Sequence, residues 1–191
     1  FACMSISEKS DLKIVPTQDG SNTILNENLG STYHSRHGAL TESKHVFIDK
    51  GLRKVLANGL TNVTLLEMGF GTGLNALVSA ELIKHAKHVN LEYHGLELYP
   101  LPSEIWRQYM LPLELKESAA LFNKIHEVDW GVSSKISERF DLTKHQISLL
   151  NYKPTSLFNL VYFDAFEPET QPELWTEEVF TKLFSWMMEG G

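Results

Sequence analysis

Leu65-Leu66-Glu67-Met68-Gly69-Phe70-Gly71-Thr72-Gly73-Leu74-Asn75 runs from an apolar strand through three alternating glycines into a helix. Glycine accepts positive φ and has no Cβ, so such a bend lets a cofactor lie against bare backbone at a helix start. Spacing separates two cofactor classes. A dinucleotide fingerprint, G-x-G-x-x-G/A, needs a small residue in its last place, and counting from Gly69 and Gly71 that place holds Leu74. Glu67 at the strand end would repel a diphosphate, whereas it suits a cationic amino-acid tail such as that of S-adenosylmethionine. The plain alternative is a glycine-rich turn that binds nothing.

Outward from this bend the pattern alternates β and α. Residues 63–68 read as a strand and 74–84 as a helix with Leu74, Leu77, Val78, Leu82 and Ile83 on its apolar side. A second strand spans 89–96 and ends at Glu97, a long helical stretch spans 103–124, and 141–149 reads as a third strand. A fourth, 157–163, ends at Asp164, and a last helix over 173–188 stops at Gly190-Gly191. The near-continuous run Leu160-Val161-Tyr162-Phe163 fits a parallel strand buried on both faces. Upstream, 12–16 and 21–25 flank the turn signal Asp19-Gly20 as a hairpin, 46–48 is a short apolar piece, and 51–59 reads as a helix. The expected fold is therefore α/β and Rossmann-like, with an N-terminal hairpin and loop extension over 1–50 and the main domain over 51–191. A doubly wound sheet that stops after its fourth strand and helix is incomplete, so C-terminal strands are expected to be missing.

Composition narrows the class. The 191 residues are 42% hydrophobic with a net charge of −7, as in an ordinary soluble globule. No apolar run approaches the roughly 20 residues of a membrane span, and the start lacks the basic-then-apolar design of a signal peptide. A single cysteine, Cys3, suits a reducing compartment, and a cytoplasmic location is expected. Phe1 is no start residue and Met4 is one, so residues 1–3 read as upstream leftovers. Residues 164–191 hold seven acids against Lys182 alone, which leaves the rest of the chain near balance. Within 33–54, Arg36, Lys44, Lys50, Arg53 and Lys54 with His34, His37 and His45 form either a phosphate-facing edge or a solvated surface.

Ligands of open α/β sheets bind at the carboxyl ends of the strands. That edge should gather Glu67, the glycines, Glu97 and Asp164. Glu97 follows Gly73 by 24 positions, close to the offset at which an acid accepts hydrogen bonds from ribose hydroxyls, and Leu98 and Tyr99 offer an apolar wall for adenine. Asp164-Ala165-Phe166-Glu167-Pro168, with Pro172 and Trp175, reads as a stiffened pocket lip. There the carboxylate would orient an amine and favour its proton loss, and Phe166 would cover a base. The histidines fit no metal pattern, and no G-x-S-x-G elbow occurs. Trp175, Val179, Phe180, Leu183, Phe184, Trp186 and Met187 read as the core side of the last helix.

Thr17-Gln18-Asp19-Gly20-Ser21, Tyr33-His34-Ser35-Arg36-His37-Gly38-Ala39, Glu42-Ser43-Lys44-His45-Val46-Phe47, the glycine motif and Asp164-Ala165-Phe166 through Trp175 together resemble the methyltransferase modules of the MnmC family of tRNA 5-methylaminomethyl-2-thiouridine biosynthesis proteins and their stand-alone relatives. The resemblance implies a class I methyltransferase fold and methylation by S-adenosylmethionine of an aminomethyl group on a tRNA wobble uridine. It makes Asp164 the candidate catalytic residue. Glu67, Gly69, Phe70, Gly71, Gly73, Asn75, Glu97 and Leu98 are then expected at the cofactor, and Phe166, Pro168, Trp175, Arg36 and His37 at the substrate, with no metal. The family's flavin domain has no counterpart here, so a separate flavin-dependent oxidase is expected upstream. Where related enzymes place an acid for the adenine amino group, this chain has Ser148 and Asn151. Two rivals stay open: methylation of a small-molecule amine, and a non-catalytic module that binds nucleoside or RNA.

Overall fold

Strand β4 (Asn62–Met68) lies inside a five-stranded sheet ordered β6-β7-β5-β4-β8. The computed structural model describes residues 11–190; Phe1, Cys3, Met4 and the rest of the first ten residues lie outside it, as does Gly191. β4 pairs in parallel with β5 (Asn90–Leu96) on one side and β8 (Leu160–Phe163) on the other. β7 (Phe140–His145) follows β5 in parallel, and β6 (Ser134–Ser137), an element not foreseen, closes that edge antiparallel. The chain winds outward from β4 to β7 and then returns to β8 across β4. The order reverses between β4 and β8, which opens a crevice at their carboxyl ends.

Alternation along β4 assigns its side chains to two cores. Val63 and Leu65 join a cluster with Leu74 and Leu77 of α3 (Leu74–His85), while Leu66 and Met68 join Leu174, Val179 and Leu183 on the opposite face. Helices therefore cover both faces of the strand, which explains its apolar run. Glu67 shares the parity of Leu65 and points under α3.

The N-terminal hairpin forms as read, from β1 (Leu12–Pro16) and β2 (Asn22–Asn26), and a short β3 (Ser31–Thr32) widens it to three strands. Asp19 in its turn accepts hydrogen bonds from the backbone N–H of Ser21 (3.0 Å) and Thr41 (2.9 Å), tying the hairpin to the first helix. The helix expected over 51–59 starts much earlier. α1 (Ala39–Glu42), a π-helical segment Ser43–Leu52 and α2 (Arg53–Ala57) form one run that includes the apolar piece 46–48. Buried Ala39, Leu40, Ser43, Phe47, Ile48 and Leu52 keep helical spacing through it. Gly51 does not start the helix; a Cβ there would meet the Tyr162 ring at 3.0 Å, so it allows close packing on β8.

The single helix read over 103–124 is broken into α4 (Ser103–Trp106), a 3-10 turn Leu113–Ser118 and α5 (Ala119–Glu127). Pro112 lacks an N–H and keeps the residue before it out of the α region, which accounts for the break. The last helix is also shorter than read. α6 (Glu177–Ser185) stops before Gly190 because Phe158 donates to the Trp186 carbonyl and Met188 donates to the Phe158 carbonyl, both at 2.8 Å, drawing the backbone into a parallel bridge. Only part of its expected core side is inside: Val179 and Leu183 are buried, whereas Trp175, Phe180 and Phe184 are exposed.

Candidate active site

A cleft of about 700 Å³ opens at the carboxyl ends of β4, β5 and β8. Gly69, Gly71 and Thr72 line it from the bend, Glu97, Leu98 and Tyr99 from the end of β5, residues 146–149 from beyond β7, and Asp164 and Phe166 from beyond β8. Asp164 stands on the same rim as the glycines. Its N–H donates to the Met68 carbonyl at 2.9 Å.

Each bend glycine has positive φ, +88° at Gly69, +48° at Gly71 and +69° at Gly73. The space left by the missing Cβ admits protein rather than ligand. A Cβ on Gly69 would sit 2.1 Å from the Asp164 carbonyl oxygen, one on Gly71 would sit 2.9 Å from the Tyr33 ring, and one on Gly73 would press on Phe70 and His126. The glycines thus bring the two strand tips together. Thr72 between them is clamped from both sides: its Oγ1 lies 2.8 Å from His34 Nε2, and its carbonyl accepts from His126 Nε2 at 3.0 Å. Burial pushes both imidazoles down to about 4, so they are neutral at physiological pH.

Glu97 accepts the Gly71 N–H at 3.0 Å and the Tyr99 N–H at 2.9 Å, which fixes its carboxyl on the cleft wall. Burial raises its pKa against those two bonds. Glu67 departs from expectation. It is fully buried and does not line the cleft, because strand parity turns it under α3, where it accepts from Asn75 at 2.9 Å. Asn75 in turn donates to Asp164 at 2.8 Å. Burial pushes Asp164 up to about 8, helped by the nearby charges of Glu42 and Glu97 and opposed by the Asn75 hydrogen bond.

Of the remaining expected residues, Phe166 reaches the cleft and meets Tyr33 edge-on at 5.4 Å. Trp175 is not on the lining; its indole N–H donates to the Phe166 carbonyl at 2.8 Å and so braces the lip. Phe70, Gly73 and Asn75 lie behind the wall, and Pro168, Arg36 and His37 lie outside the cleft. Ser148 lines it and Asn151 does not, while Gln146, Ile147 and Leu149 complete that side. Tyr33, Thr72 and, from the N-terminal segment, Leu12, Asn26 and Asn28 are lining residues that the motif reading did not assign, and His34, read as part of the basic edge, is instead buried behind Thr72 at the cleft wall. The Tyr33-His34 pair, set in a dense run of polar and aromatic residues, was the available signal.

The fold and the cleft at its switch point define a Rossmann-like methyltransferase domain. A family model described as S-adenosyl-L-methionine-dependent methyltransferase matches residues 124–191. The bifunctional tRNA 5-methylaminomethyl-2-thiouridine biosynthesis protein MnmC of Methylobacillus flagellatus is 30% identical over 164 residues, covering 81% of this chain and 25% of that protein. Its counterpart in Pseudomonas fluorescens is 32% identical over 163 residues, covering 79% and 25%. The crystal structure of MnmC2 from Aquifex aeolicus superposes with a TM-score of 0.78 at 25% identity, covering 94% of this chain and 58% of that one. In sequence and in fold the chain resembles the methyltransferase modules of MnmC proteins. It spans about a quarter of the length of the curated relatives it matches.

Proposed function

We propose that this chain methylates the exocyclic aminomethyl nitrogen of a tRNA wobble uridine, using S-adenosylmethionine in the cleft and acting in the cytoplasm, with a separate flavin-dependent oxidase acting upstream. The observation that carries the reading is the placement of Asp164 beside Gly69, in one cleft with Gly71 and Glu97. The residues present fit the cofactor. Glu97, held by two backbone N–H groups, keeps lone pairs for ribose hydroxyls, Leu98, Ile147 and Leu149 offer apolar walls for adenine, and the backbone of Gly69 and Gly71 on the lining would hold the amino-acid tail. When bound, the cofactor would supply a methyl on a sulfonium, with the thioether as leaving group to the attacking amine.

Only a neutral amine has the lone pair for this attack. Asp164 accepts the proton that the amine sheds and holds the nitrogen in line, so its task combines base chemistry with positioning. A carboxyl pushed up to about 8 is better matched to an amine than one in the ordinary range. Among the described residues no Lys or Arg lines the cleft, whereas Glu97, Asp164 and Glu173 do. A cationic amine is therefore drawn into it as these carboxyls ionise, which for Asp164 happens near pH 8, and tRNA phosphates are held elsewhere, with Arg36 and His37 on the exposed edge as candidates. The same acidic lining favours the rival reading, a small-molecule amine substrate.

The test is calorimetric titration with S-adenosylmethionine followed by methyl transfer to tRNA lacking the final modification. Asp164→Ala should lower turnover about 100-fold or more while leaving cofactor affinity within a few-fold. Unchanged methylation in that variant removes the role assigned to Asp164. Affinity for tRNA that falls steeply with salt separates the tRNA reading from the small-amine one, since phosphate contacts release counterions.

A further inference from the structure

Asn75, in the first turn of α3, is 1% exposed and lies between two acids. Its side-chain nitrogen is 2.9 Å from Glu67 Oε1 and 2.8 Å from Asp164 Oδ2. A carboxamide nitrogen carries two hydrogens, and here each goes to a different carboxyl. Turned over, the amide would present its oxygen to the Asp164 carboxylate, which can only accept. The acids differ in depth. Glu67 is fully enclosed, with the Tyr93 hydroxyl as its other polar neighbour, whereas Asp164 lines the cleft and its Oδ1 makes no hydrogen bond to a described residue.

The other acids nearby add negative charge: Glu97 from the end of β5 and Glu42 from α1 face Asp164. Tyr93 of β5 and Tyr162 of β8 stand beside Glu67 with neutral phenols, and the Tyr93 hydroxyl offsets part of the rise in Glu67 without outweighing burial. Two carboxyls sharing one amide in such a place do not both ionise. The deeper one loses more hydration and keeps its proton. The direction of shift agrees, since burial first and the Asp164 charge second drive Glu67 well above the usual carboxylate range.

Building on the catalytic reading of Asp164, we propose that Glu67 and Asn75 are a positioning pair: Glu67 stays neutral and anchors the amide, whose second N–H fixes Asp164 Oδ2 and favours its ionised form, leaving Oδ1 for the acceptor amine. Asn75 thereby couples the centre of the sheet to the cleft rim. Neither residue touches substrate, and both act through Asp164.

The test follows the carboxyl ¹³C resonances of the cofactor-free chain, labelled at Asp and Glu, with Asp164→Asn to assign the Asp164 signal. In Asn75→Ala the Asp164 titration should move up by about one unit or more, because a hydrogen bond to the charged form is lost. The acid limb of kcat should move with it, which a merely structural role would not produce. In Glu67→Gln, a neutral isostere, the Asp164 titration should stay within about half a unit. A fall of more than one unit in Glu67→Gln would mean that Glu67 was charged and would overturn the proposal, as would an unmoved titration in Asn75→Ala. If Asn75→Ala does not fold, Glu67→Gln decides by the same readout. A wild-type chain whose carboxyls titrate as described but which transfers no methyl group supports the pair and counts against the proposed reaction.

Discussion

Gly69 and Gly59 both hold positive φ, +88° and +81°, yet only Gly69 has a neighbour where a Cβ would stand. Replacing Gly59 with Ala should cost about 1 kcal/mol of left-handed strain. Gly69→Ala adds a collision with the Asp164 carbonyl at 2.1 Å, backbone that cannot swing aside, and should cost about 3 kcal/mol or more. Paired denaturant titrations measure the difference; equal losses would mean that the bend tolerates a side chain. The positive φ of these glycines was legible from their spacing in the sequence. Their neighbours were not, because the Asp164 carbonyl and the Tyr33 ring arrive from distant parts of the chain. Glu67 shows the converse. Its place at a strand end suggested the rim, but its parity with Leu65 already turned it inward, and that signal was there to be used.

At the scale of elements, strands were read more accurately than helices, for a physical reason. β4 and β8 announce themselves as apolar runs, although the third strand, read to 149, ends at His145 as β7. The run 39–57 instead shifts from α to π and back and so dilutes its own period. The 103–124 stretch carried its correction in Pro112. α6 starts at Glu177, later than the 173 read from the sequence, because Thr176 caps it: Thr176 Oγ1 accepts the Val179 N–H at 3.3 Å, and Glu177 and Glu178 follow in the first turn. Thr176→Ala should therefore cost about 1 kcal/mol, which for a chain of this size lowers Tm by about 2–4 °C. The lip residues Phe166 and Trp175 precede this helix, so the same variant should loosen them; an unchanged Tm would show that the cap bond adds nothing.

Across the whole molecule, the switch of strand order collects acids at one rim and packs neutral histidines against Thr72 beside it, and this sets opposed dependences on pH. Asp164 titrates at about 8 in the fold, against roughly 4 in the unfolded chain. Glu67 is raised in the same direction. From about pH 4 to 8 the folded chain holds protons that the unfolded one has released, so their contribution is full below the unfolded value and is lost as pH rises, by at most about 1.4 kcal/mol per unit per group. His34 and His126 run the other way: lowered to about 4, against roughly 6.5 unfolded, they stabilise the fold as pH rises between those values. The two trends offset each other up to about pH 6.5, and above it only the carboxyl trend continues. Lys144, lowered to about 8 by burial, begins to add stability only beyond that point. Thermal melts of the cofactor-free chain should give a nearly level Tm from pH 5 to 6.5 and a falling one from 6.5 to 8, with the fall reduced in Asp164→Asn because that variant has no proton to lose there. A Tm that climbs across the upper interval would place an ionised carboxylate at the rim throughout and contradict the burial that raises Asp164.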